Sequence, residues 1–267
     1  MKYDLFISDY DGTLGSAPDY IAPETVSAIK KYCDKGGIFA VCSGRMMASI
    51  LPICRKYDLK GLAVAYQGAM INDIVTGKNL FTGGMDTDIS AEIAEYFIKR
   101  NVSVIAEIDD VMYYSGQSFY IGLYEKNCSV KGVEKRDIVD FILKNGRTVQ
   151  KVIGLCGAEE TKTHTPILQR KYAGKVLINN GASILAEVVS PTCSKKVAVE
   201  FLANYYGVPL DKVLAVGDST NDIELLRGAW HGVAVGDGRE ELKEIADEIT
   251  VPFNNQPVKY LLEKYCL

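Results

Sequence analysis

Apolar and polar positions alternate along the first third of the chain in a pattern typical of strands and helices that follow one another. The runs "YDLFIS" (3–8) and "IFAVCS" (38–43) are short and almost wholly apolar, as in strands covered on both faces. Between them, "APETVSAIKKYCDKGG" (22–37) predicts a helix with an early proline and two final glycines. A helical pattern to about Asp58 and the strand pattern "LAVAYQGAMI" (62–71) follow. Alternating strands and helices predict a parallel sheet with right-handed crossovers.

The pattern changes near Thr82. An amphipathic helix is predicted over 86–100, followed by a hairpin of "VSVIAEI" (102–108) and "VMYYS" (111–115). Later elements of this region are helices over 133–146 and 159–174, a strand over 148–157, and a hairpin of 175–180 and 182–190 separated by Gly181. Helices grouped with hairpins indicate an α+β layer that is distinct from the parallel sheet.

The alternating pattern returns after Pro191. It predicts helices over 194–207, 221–229 and 239–246 and strands over 212–219, 231–236 and 248–251. The expected fold class is therefore α/β, with a doubly wound, Rossmann-like parallel sheet interrupted by an inserted α/β (α+β) domain. We expect the core to comprise 1–82 and 190–267 and the insert 83–189, with hinges at Thr82–Gly84 and Ser190–Pro191, because Gly-Gly and Pro suit linkers.

Composition limits the partners that the chain can have. Of its 267 residues, 48% are hydrophobic and 24% are charged, and the formal net charge of −4 provides no overall basic field for nucleic acid or an anionic membrane. No apolar stretch is long enough for a membrane helix, and the N-terminal residues do not resemble a signal peptide. The seven cysteines contain no CxxC pair and are typical of small buried residues in a reducing compartment. We therefore expect a cytoplasmic protein; a monomer is compatible with the sequence, which does not fix the oligomeric state.

Polar residues follow several of the predicted core strands or begin the helix before one of them. Ligands of open parallel sheets bind beyond the carboxyl ends of the strands, so we expect these residues to lie at one edge. They are Asp9, Asp11, Ser43, Gly44, Arg45, Lys195, Lys196, Asp218, Asn221 and Asp222. Taken singly, each motif is more typical of a turn or a helix cap. Their combination, in the order that one mechanism needs, indicates a site.

Carboxylates in this arrangement suit Mg²⁺, which prefers a few carboxylates together with water and a phosphate. A lysine, a serine hydroxyl and backbone N–H groups would then make the site attractive to a phosphate dianion. Asp9 could attack phosphorus and form an aspartyl-phosphate, while Asp11, two residues on, protonates the leaving group and later takes a proton from water. The sequence therefore indicates phosphoryl transfer.

Four segments, "DYDGTL" (9–14), "CSGR" (42–45), "SKK" (194–196) and "GDSTND" (217–222), resemble the signature motifs of the haloacid dehalogenase superfamily. The insert resembles the type IIB α/β cap of the Cof-like sugar phosphatases, and the resemblance covers essentially the whole chain. It implies an HAD core with a cap domain that closes over the site to select the substrate. The implied activity is Mg²⁺-dependent hydrolysis of phosphate monoesters of small metabolites, with sugar phosphates foremost.

The resemblance also implies a role for each motif residue. Asp9 is the nucleophile and a Mg²⁺ ligand, Asp11 is the general acid/base and binds the metal through its carbonyl, Asp218 is a Mg²⁺ ligand, and Asp222 supports the metal or the lysine. Lys195 neutralises charge on the phosphoryl group and the nucleophile. The implied phosphate-binding residues are Gly12 and Thr13 through their N–H groups, Ser43, Gly44, Arg45, Lys195 and Asn221.

Several alternatives stay open at this stage. The family often has Asn-Gly-Ala after the third strand, where this chain has Gln67. The loop before the lysine is one residue shorter than the family pattern. The spacing from the lysine to Gly217 and Asp218 favours Lys195, and Lys196 is the alternative.

The roles of several other side chains are also open. Arg45 either contacts substrate or is a charge at a helix start. The insert's tyrosines 113, 114, 120 and 124 pack within the sheet or form an aromatic wall for a substrate, and packing is the favoured interpretation. The histidines, His164 and His231, are interpreted as surface or packing residues.

Two other functions fit parts of the sequence. A phosphomutase of the same superfamily uses the same pair of aspartates, and a bisphosphate activator would distinguish it from a phosphatase. A non-catalytic protein that binds phosphorylated metabolites is the other alternative, although all the expected catalytic side chains are present. A receiver-like signalling domain, which also gathers aspartates and a lysine at strand ends, would be shorter and would have no large insert.

Overall fold

The computed structural model describes residues 1–16, 19–179 and 185–267, and they form two compact units. Unit 1 comprises Met1–Phe81 and Ser194–Leu267, and unit 2 comprises Thr82–Cys193. The boundaries expected from the sequence differ from these by one residue at the first junction and by four residues at the second.

Unit 1 begins with the alternating strands and helices that the apolar runs predict. The strands are β1 (Leu5–Ser8), β2 (Ile38–Cys42), β3 (Leu62–Ala65), β4 (Met70–Asp73) and β5 (Asn79–Thr82), and the helices are α1 (Pro23–Asp34) and α2 (Met47–Lys56). Every residue of β1 and β3 is buried, in agreement with strands covered on both faces. The strand β5 was not predicted, because "NLFT" is short and lies mostly exposed or half-buried at an edge.

Unit 2 follows. Its elements are α3 (Thr87–Ile98), β6 (Ser103–Ile108), β7 (Val111–Ser115), α4 (Phe119–Cys128), β8 (Val133–Glu134), α5 (Ile138–Asn145), β9 (Val149–Leu155), α6 (Ala158–Lys171), β10 (Leu177–Asn179) and β11 (Leu185–Val189). Its sheet has the order β10-β11-β9-β6-β7-β8, antiparallel except for the β7–β8 pair. The helices α3, α5 and α6 contribute to an apolar core that includes Phe97, Ile142 and Leu168. The α+β arrangement predicted for this region is confirmed.

The chain then completes unit 1. The remaining elements are α7 (Lys195–Tyr206), β12 (Val213–Gly217), α8 (Ile223–Leu226), β13 (His231–Ala234), α9 (Glu240–Lys243), β14 (Glu248–Ile249) and α10 (Pro257–Tyr265). The sheet of unit 1 has the order β14-β13-β12-β1-β2-β3-β4-β5 and is parallel from β14 to β3. The predicted doubly wound α/β core is therefore confirmed.

Some element predictions were wrong or incomplete. The helix expected over 133–146 begins only at Ile138, since Val133 and Glu134 form β8 against β7. The helices α4 and α10 were missed; "FYIGLYEKNC" has a glycine in its middle and no clear apolar stripe. The strands of the last hairpin pair as predicted, but its turn around Gly181 lies outside the described residues. Among the described residues, no helix has the length and apolar character that crossing a bilayer requires.

Candidate active site

The strand β1 lies between β12 and β2 in the sheet of unit 1, with Ser8 in register with Val216 and Val41. The parallel direction brings the residues that follow these three strands to one edge, as expected for an open α/β sheet. The N–H of Asp9 donates to the carbonyl of Val216 at 2.9 Å, and the N–H of Ser43 donates to the carbonyl of Val64 at 2.9 Å. The strand ends therefore position Asp9, Ser43 and Asp218 beside one another.

A tight turn follows Asp9. The carbonyl of Tyr10 accepts hydrogen bonds from the N–H groups of Leu14 and Gly15 at 3.1 and 2.8 Å. Gly12 has a φ of +81°, and a Cβ there would lie 2.6 Å from Oδ2 of Asp218. Glycine is required at this position both by the backbone conformation and by the space that the neighbouring carboxylate occupies.

The N–H groups of this turn do not face an open site. The sequence leads us to expect the N–H groups of Gly12 and Thr13 near a phosphoryl group, but they donate to the carbonyls of Gly15 and Tyr10, at 3.0 and 3.4 Å. The hydroxyl of Thr13 instead donates to Oδ1 of Asp218 at 2.8 Å. Thr13 therefore orients a carboxylate of the site in this structure.

Lys195 joins two of the carboxylates. Its Nζ donates to Oδ1 of Asp9 at 2.5 Å and to Oδ1 of Asp222 at 2.6 Å, and its side chain is fully buried. Although burial lowers it, the pKa of Lys195 is raised overall, because Asp222 and Asp9 attract the ammonium. Of the two lysines that the sequence leaves open, Lys195 contacts the carboxylates, and Lys196 is exposed.

Asp222 is held by protein groups on both of its oxygens. Its Oδ1 accepts from Lys195, and its Oδ2 accepts from the N–H groups of Asp218 and Ser219 at 3.1 and 3.0 Å. The side chain is fully buried, and a Cβ at Gly217 would lie 2.5 Å from the Asp222 side chain. This arrangement favours the supporting role over direct binding of a metal, since both oxygens already have donors.

Three carboxylates nonetheless come close enough to share a cation. One oxygen from each of Asp9, Asp218 and Asp222 lies within 4.8 Å of the others. Burial, and then repulsion by Asp222, raises the pKa of Asp218 to about 6, and burial likewise raises the pKa of Asp9 well above its ordinary value. A divalent cation would relieve this crowding of like charges, and carboxylate oxygens are the ligands that hard cations prefer. The residues present therefore fit Mg²⁺, with Asp9 and Asp218 having fewer protein partners than Asp222.

The side chain of Arg45 is paired with carboxylates of the protein. Its Nε and Nη2 donate to the two oxygens of Asp11 at 2.8 and 2.7 Å, and its Nη1 donates to Oδ1 of Asp19 at 3.1 Å. The guanidinium lies over the ring of Tyr10, 4.8 Å from its centroid, and the side chain is only 9% exposed. It is therefore not a solvated charge at a helix start, and its hydrogen bonds go to carboxylates of the protein. The side chain of Asp11 is 50% exposed.

Gln67 is a site neighbour whose place the sequence does not reveal. It lies in a short 3₁₀ turn, Tyr66–Gly68, in which all three residues have left-handed φ values of 54°, 59° and 112°. The N–H groups of Tyr66 and Gln67 donate to the carbonyls of Arg45 and Ser43 at 2.9 and 3.1 Å, which holds the turn against the end of β2. The hydroxyl of Ser43 is itself oriented by the N–H of Arg45 at 3.1 Å.

Two carboxamides flank Gly44. A Cβ at Gly44 would lie 2.4 Å from Nε2 of Gln67 and 3.7 Å from Nδ2 of Asn221. Within the described residues, Oε1 of Gln67 and Oδ1 of Asn221 are buried and have no hydrogen-bond partner. Gly44 is therefore needed for space, and Asn221 lies with Ser43 and Gly44 as the motif order predicts.

Two of the four tyrosines and both histidines that the sequence singles out contact neighbouring side chains within their own unit. In unit 2, Tyr113 packs on Phe141 with ring centroids 4.5 Å apart, and the hydroxyl of the buried Tyr124 donates to Glu107 at 2.7 Å. His164 exchanges a hydrogen bond with Tyr96 at 3.0 Å. In unit 1, His231 bonds Glu248 at 3.0 Å and stacks on Tyr3.

Comparisons with known proteins agree with this architecture. A family model described as haloacid dehalogenase-like hydrolase matches residues 6–262. A "Putative phosphatase" of Haemophilus influenzae is 28% identical over 99% of this chain and 98% of its own length. A 5-amino-6-(5-phospho-D-ribitylamino)uracil phosphatase of Bacillus subtilis is 26% identical over 98% of this chain and 97% of its own. The solved structure of a haloacid dehalogenase subclass IIB sugar phosphatase superposes with a TM-score of 0.84 at 20% identity, covering 98% of each chain, and shows likeness of fold.

Proposed function

Since the chain belongs to the haloacid dehalogenase-like hydrolase family and is a phosphatase of small phosphorylated compounds, we propose that it hydrolyses phosphate monoesters, sugar phosphates foremost, with Mg²⁺ and through an aspartyl-phosphate intermediate. The observation that carries the proposal is the position of Lys195, whose Nζ bonds both Asp9 and Asp222 beside Asp218. A buried cation among carboxylates at the strand ends suits a site that must bind a phosphate dianion and keep its nucleophile ionised.

In the first step, a carboxylate oxygen of Asp9 forms a bond to phosphorus while the bond from phosphorus to the ester oxygen breaks. Because Oδ1 of Asp9 accepts from Lys195, Oδ2 is the oxygen that attacks. Burial favours the neutral carboxyl and raises the pKa of Asp9, and the Lys195 ammonium opposes that effect. Ser43 and Asn221 bind the phosphoryl oxygens as they move from the leaving group to Asp9.

We assign the metal ligands to the carboxylates of Asp9 and Asp218 and the carbonyl of Asp11, with Asp222 holding the loop and Lys195 around them. When bound, Mg²⁺ supplies the positive charge that offsets the repulsion between the carboxylates and the phosphate. Thr13 orients Asp218 through its hydroxyl, which donates to Oδ1 of that carboxylate.

Asp11 handles the protons. In the first step Asp11 acts in its protonated form and gives that proton to the departing ester oxygen. In the second step its carboxylate takes a proton from the water that attacks phosphorus while the bond from phosphorus to Asp9 breaks, which releases phosphate and restores Asp9. Its half-exposed carboxylate can reach a substrate, and the two hydrogen bonds from Arg45 fix its orientation. Arg45 is therefore a positioning residue for the proton transfer.

The named relatives bear on the leaving group, that is, on the alcohol to which the phosphate is esterified. The curated relative from Bacillus subtilis acts on a phosphorylated ribitylamino compound, and the subclass IIB structure is that of a sugar phosphatase. The substrates in the names of these two proteins have a polyol or a sugar next to the phosphate, which supports a sugar phosphate as the substrate of this chain. We propose that unit 2 selects this substrate, and that the protein acts in the cytoplasm, where its seven free cysteines stay reduced.

Hydrolysis of para-nitrophenyl phosphate and of a panel of sugar phosphates tests the proposal, with released phosphate measured in Mg²⁺ and in EDTA. We expect turnover only in Mg²⁺, and we expect Asp9→Asn to abolish it while the variant still folds, as followed by circular dichroism. Full activity in EDTA or in Asp9→Asn would overturn the mechanism. Transfer of phosphate between positions of a sugar with no release, dependent on a bisphosphate activator, would identify a mutase instead.

A further inference from the structure

Gln67 lies in an unusual backbone conformation beside the proposed phosphate site. Tyr66 and Gln67 both have left-handed φ values, a region that residues with a side chain rarely occupy and that persists only where the surroundings impose it. Here the imposing contacts are the hydrogen bonds to the carbonyls of Arg45 and Ser43. The strained turn therefore carries the Gln67 side chain to the loop that presents Ser43.

The Gln67 side chain is buried to more than nine-tenths, yet it is not satisfied. Its exposed fraction is 6%, and its Oε1 has no hydrogen-bond partner among the described residues. A buried amide oxygen without a donor is rare in folded proteins, because losing its hydrogen bonds to water is unfavourable. Oδ1 of Asn221, whose side chain also lies near Gly44, is likewise buried without a hydrogen-bond partner among the described residues. Two neighbouring carboxamide oxygens without donors indicate a ligand or water that brings hydrogen-bond donors to them, while the amide N–H groups of the same side chains are the donors that a phosphoryl oxygen would need.

From this geometry we infer that Gln67 is a further substrate-binding residue, which holds the phosphoryl group together with Asn221 and Ser43. The inference rests on the proposed function, and it adds a residue from outside the four motifs. The amide N–H of Gln67 donates to an oxygen of the phosphoryl group, and Oε1 accepts from a ligand hydroxyl or from water. Inorganic phosphate carries both kinds of partner at neutral pH, which makes it a suitable probe.

The decisive variant is Gln67→Gly, because glycine adopts the left-handed conformation without strain. If the side chain serves only to hold the turn, the variant should lose stability and keep its affinity for phosphate. If the side chain binds the ligand, the variant should keep its thermal midpoint and lose affinity. Gln67→Asn, which shortens the side chain by one methylene in a residue that tolerates left-handed φ, is a second variant for the same comparison.

Calorimetric titration with inorganic phosphate in Mg²⁺ gives the affinity without relying on turnover. For Gln67→Gly we expect binding weaker by about tenfold or more, the usual effect of losing a hydrogen bond to a charged group, with an unchanged midpoint. The matched control is Gln256→Gly, which removes another glutamine with a left-handed φ of 57° that lies before α10. This control should bind phosphate like the unaltered protein.

Each outcome has a separate meaning. Unchanged phosphate affinity in both Gln67 variants would overturn the inference while leaving the proposed function intact. Equal loss of affinity in Gln67→Gly and Gln256→Gly would also overturn it, because the effect would then follow from backbone changes in general. A failure of the unaltered protein to bind phosphate in Mg²⁺ would instead count against the proposed function itself.

Discussion

Arg45 and Asp11 form a two-pronged ion pair in which Nε and Nη2 of the guanidinium donate to Oδ2 and Oδ1 of the carboxylate at 2.8 and 2.7 Å. The arginine is nearly buried, whereas the aspartate is half exposed. A planar guanidinium fixes both the position and the plane of a carboxylate, which a lysine cannot do. The acid/base group of the proposed mechanism is therefore held through both of its oxygens while half of its surface stays exposed.

Replacing Arg45 should impair proton transfer more than phosphoryl binding. We expect Arg45→Ala to lower kcat/KM on a sugar phosphate by about a hundredfold, the lower end of what a positioned general acid contributes. The loss of kcat/KM on para-nitrophenyl phosphate should be much smaller, because nitrophenolate departs without a proton and kcat/KM reports the first step, not the hydrolysis of the aspartyl-phosphate that both substrates share. Steady-state kinetics on the two substrates measures the difference.

Two further variants serve as controls for this comparison. Arg45→Lys keeps the charge but not the paired geometry, and it should resemble Arg45→Ala more than the unaltered enzyme. In kcat/KM, Asp11→Asn should show the same dependence on the leaving group, and adding Arg45→Ala to it should lower kcat/KM little further. Equal losses of kcat/KM on the two substrates would show that Arg45 does not act through Asp11.

Lys195 and Lys196 are adjacent in sequence but differ in environment, so they form a matched pair. We expect Lys195→Ala to reduce turnover by about a thousandfold or more, because it removes the cation next to the nucleophile. Lys196→Ala alters only an exposed side chain and should change neither turnover nor stability measurably. Comparable losses in the two variants, measured as kcat for para-nitrophenyl phosphate, would contradict the assignment.

Gly12 is required for the position of Asp218. Gly36 is the control position, because an alanine there would have a similar backbone strain but no contact with a carboxylate. Both glycines have left-handed φ values, +81° and +90°, but a Cβ at Gly12 would meet Asp218 at 2.6 Å whereas one at Gly36 would meet nothing within 4 Å. Both alanine variants should lose about 1 kcal/mol of unfolding free energy from strain. Only Gly12→Ala should also require a higher Mg²⁺ concentration for half-maximal activity. A normal Mg²⁺ dependence in Gly12→Ala would contradict this account.

The sequence predicts which site residues lie together where position in the sheet decides the outcome. Residues that follow β1, β2 and β12 had to meet, because these parallel strands are neighbours and their carboxyl ends share an edge. The sequence did not reveal that Arg45 binds Asp11, since an ion pair across 34 positions depends on side-chain directions. Nor did it reveal the strained turn at Gln67, because left-handed φ at a glutamine is imposed by tertiary hydrogen bonds rather than by local preference.

Glu107 makes the stability of unit 2 dependent on pH. Burial raises the pKa of Glu107 from 4.5 to about 7, against the opposing attraction of Lys151, and Tyr124, Glu187 and Asp110 are the other polar groups that act on it. Between these two values the folded state holds a proton that the unfolded chain releases, so stability falls as the pH rises through this range. The buried carboxylate then stays unfavourable at higher pH.

Glu107→Gln removes this titration and keeps an acceptor for the Tyr124 hydroxyl. At about pH 8 we expect the variant to be more stable, by on the order of 3 kcal/mol, and at about pH 5 we expect most of the difference to disappear. Thermal unfolding followed by circular dichroism at the two pH values measures the effect. A variant that is less stable at about pH 8 would show that the charged form of Glu107 is favourable in the folded protein.

The central claim is that Asp9 becomes phosphorylated during turnover, and this can be measured directly. Asp11→Asn should slow the second step, so that protein quenched in acid soon after mixing with para-nitrophenyl phosphate and Mg²⁺ should carry one added phosphoryl group by intact mass. Borohydride reduction followed by peptide sequencing should then find homoserine in place of Asp9. The account would be contradicted if the unaltered enzyme turns over para-nitrophenyl phosphate but Asp11→Asn carries no phosphoryl group at any quench time. A phosphoryl group on a residue other than Asp9 would also contradict it.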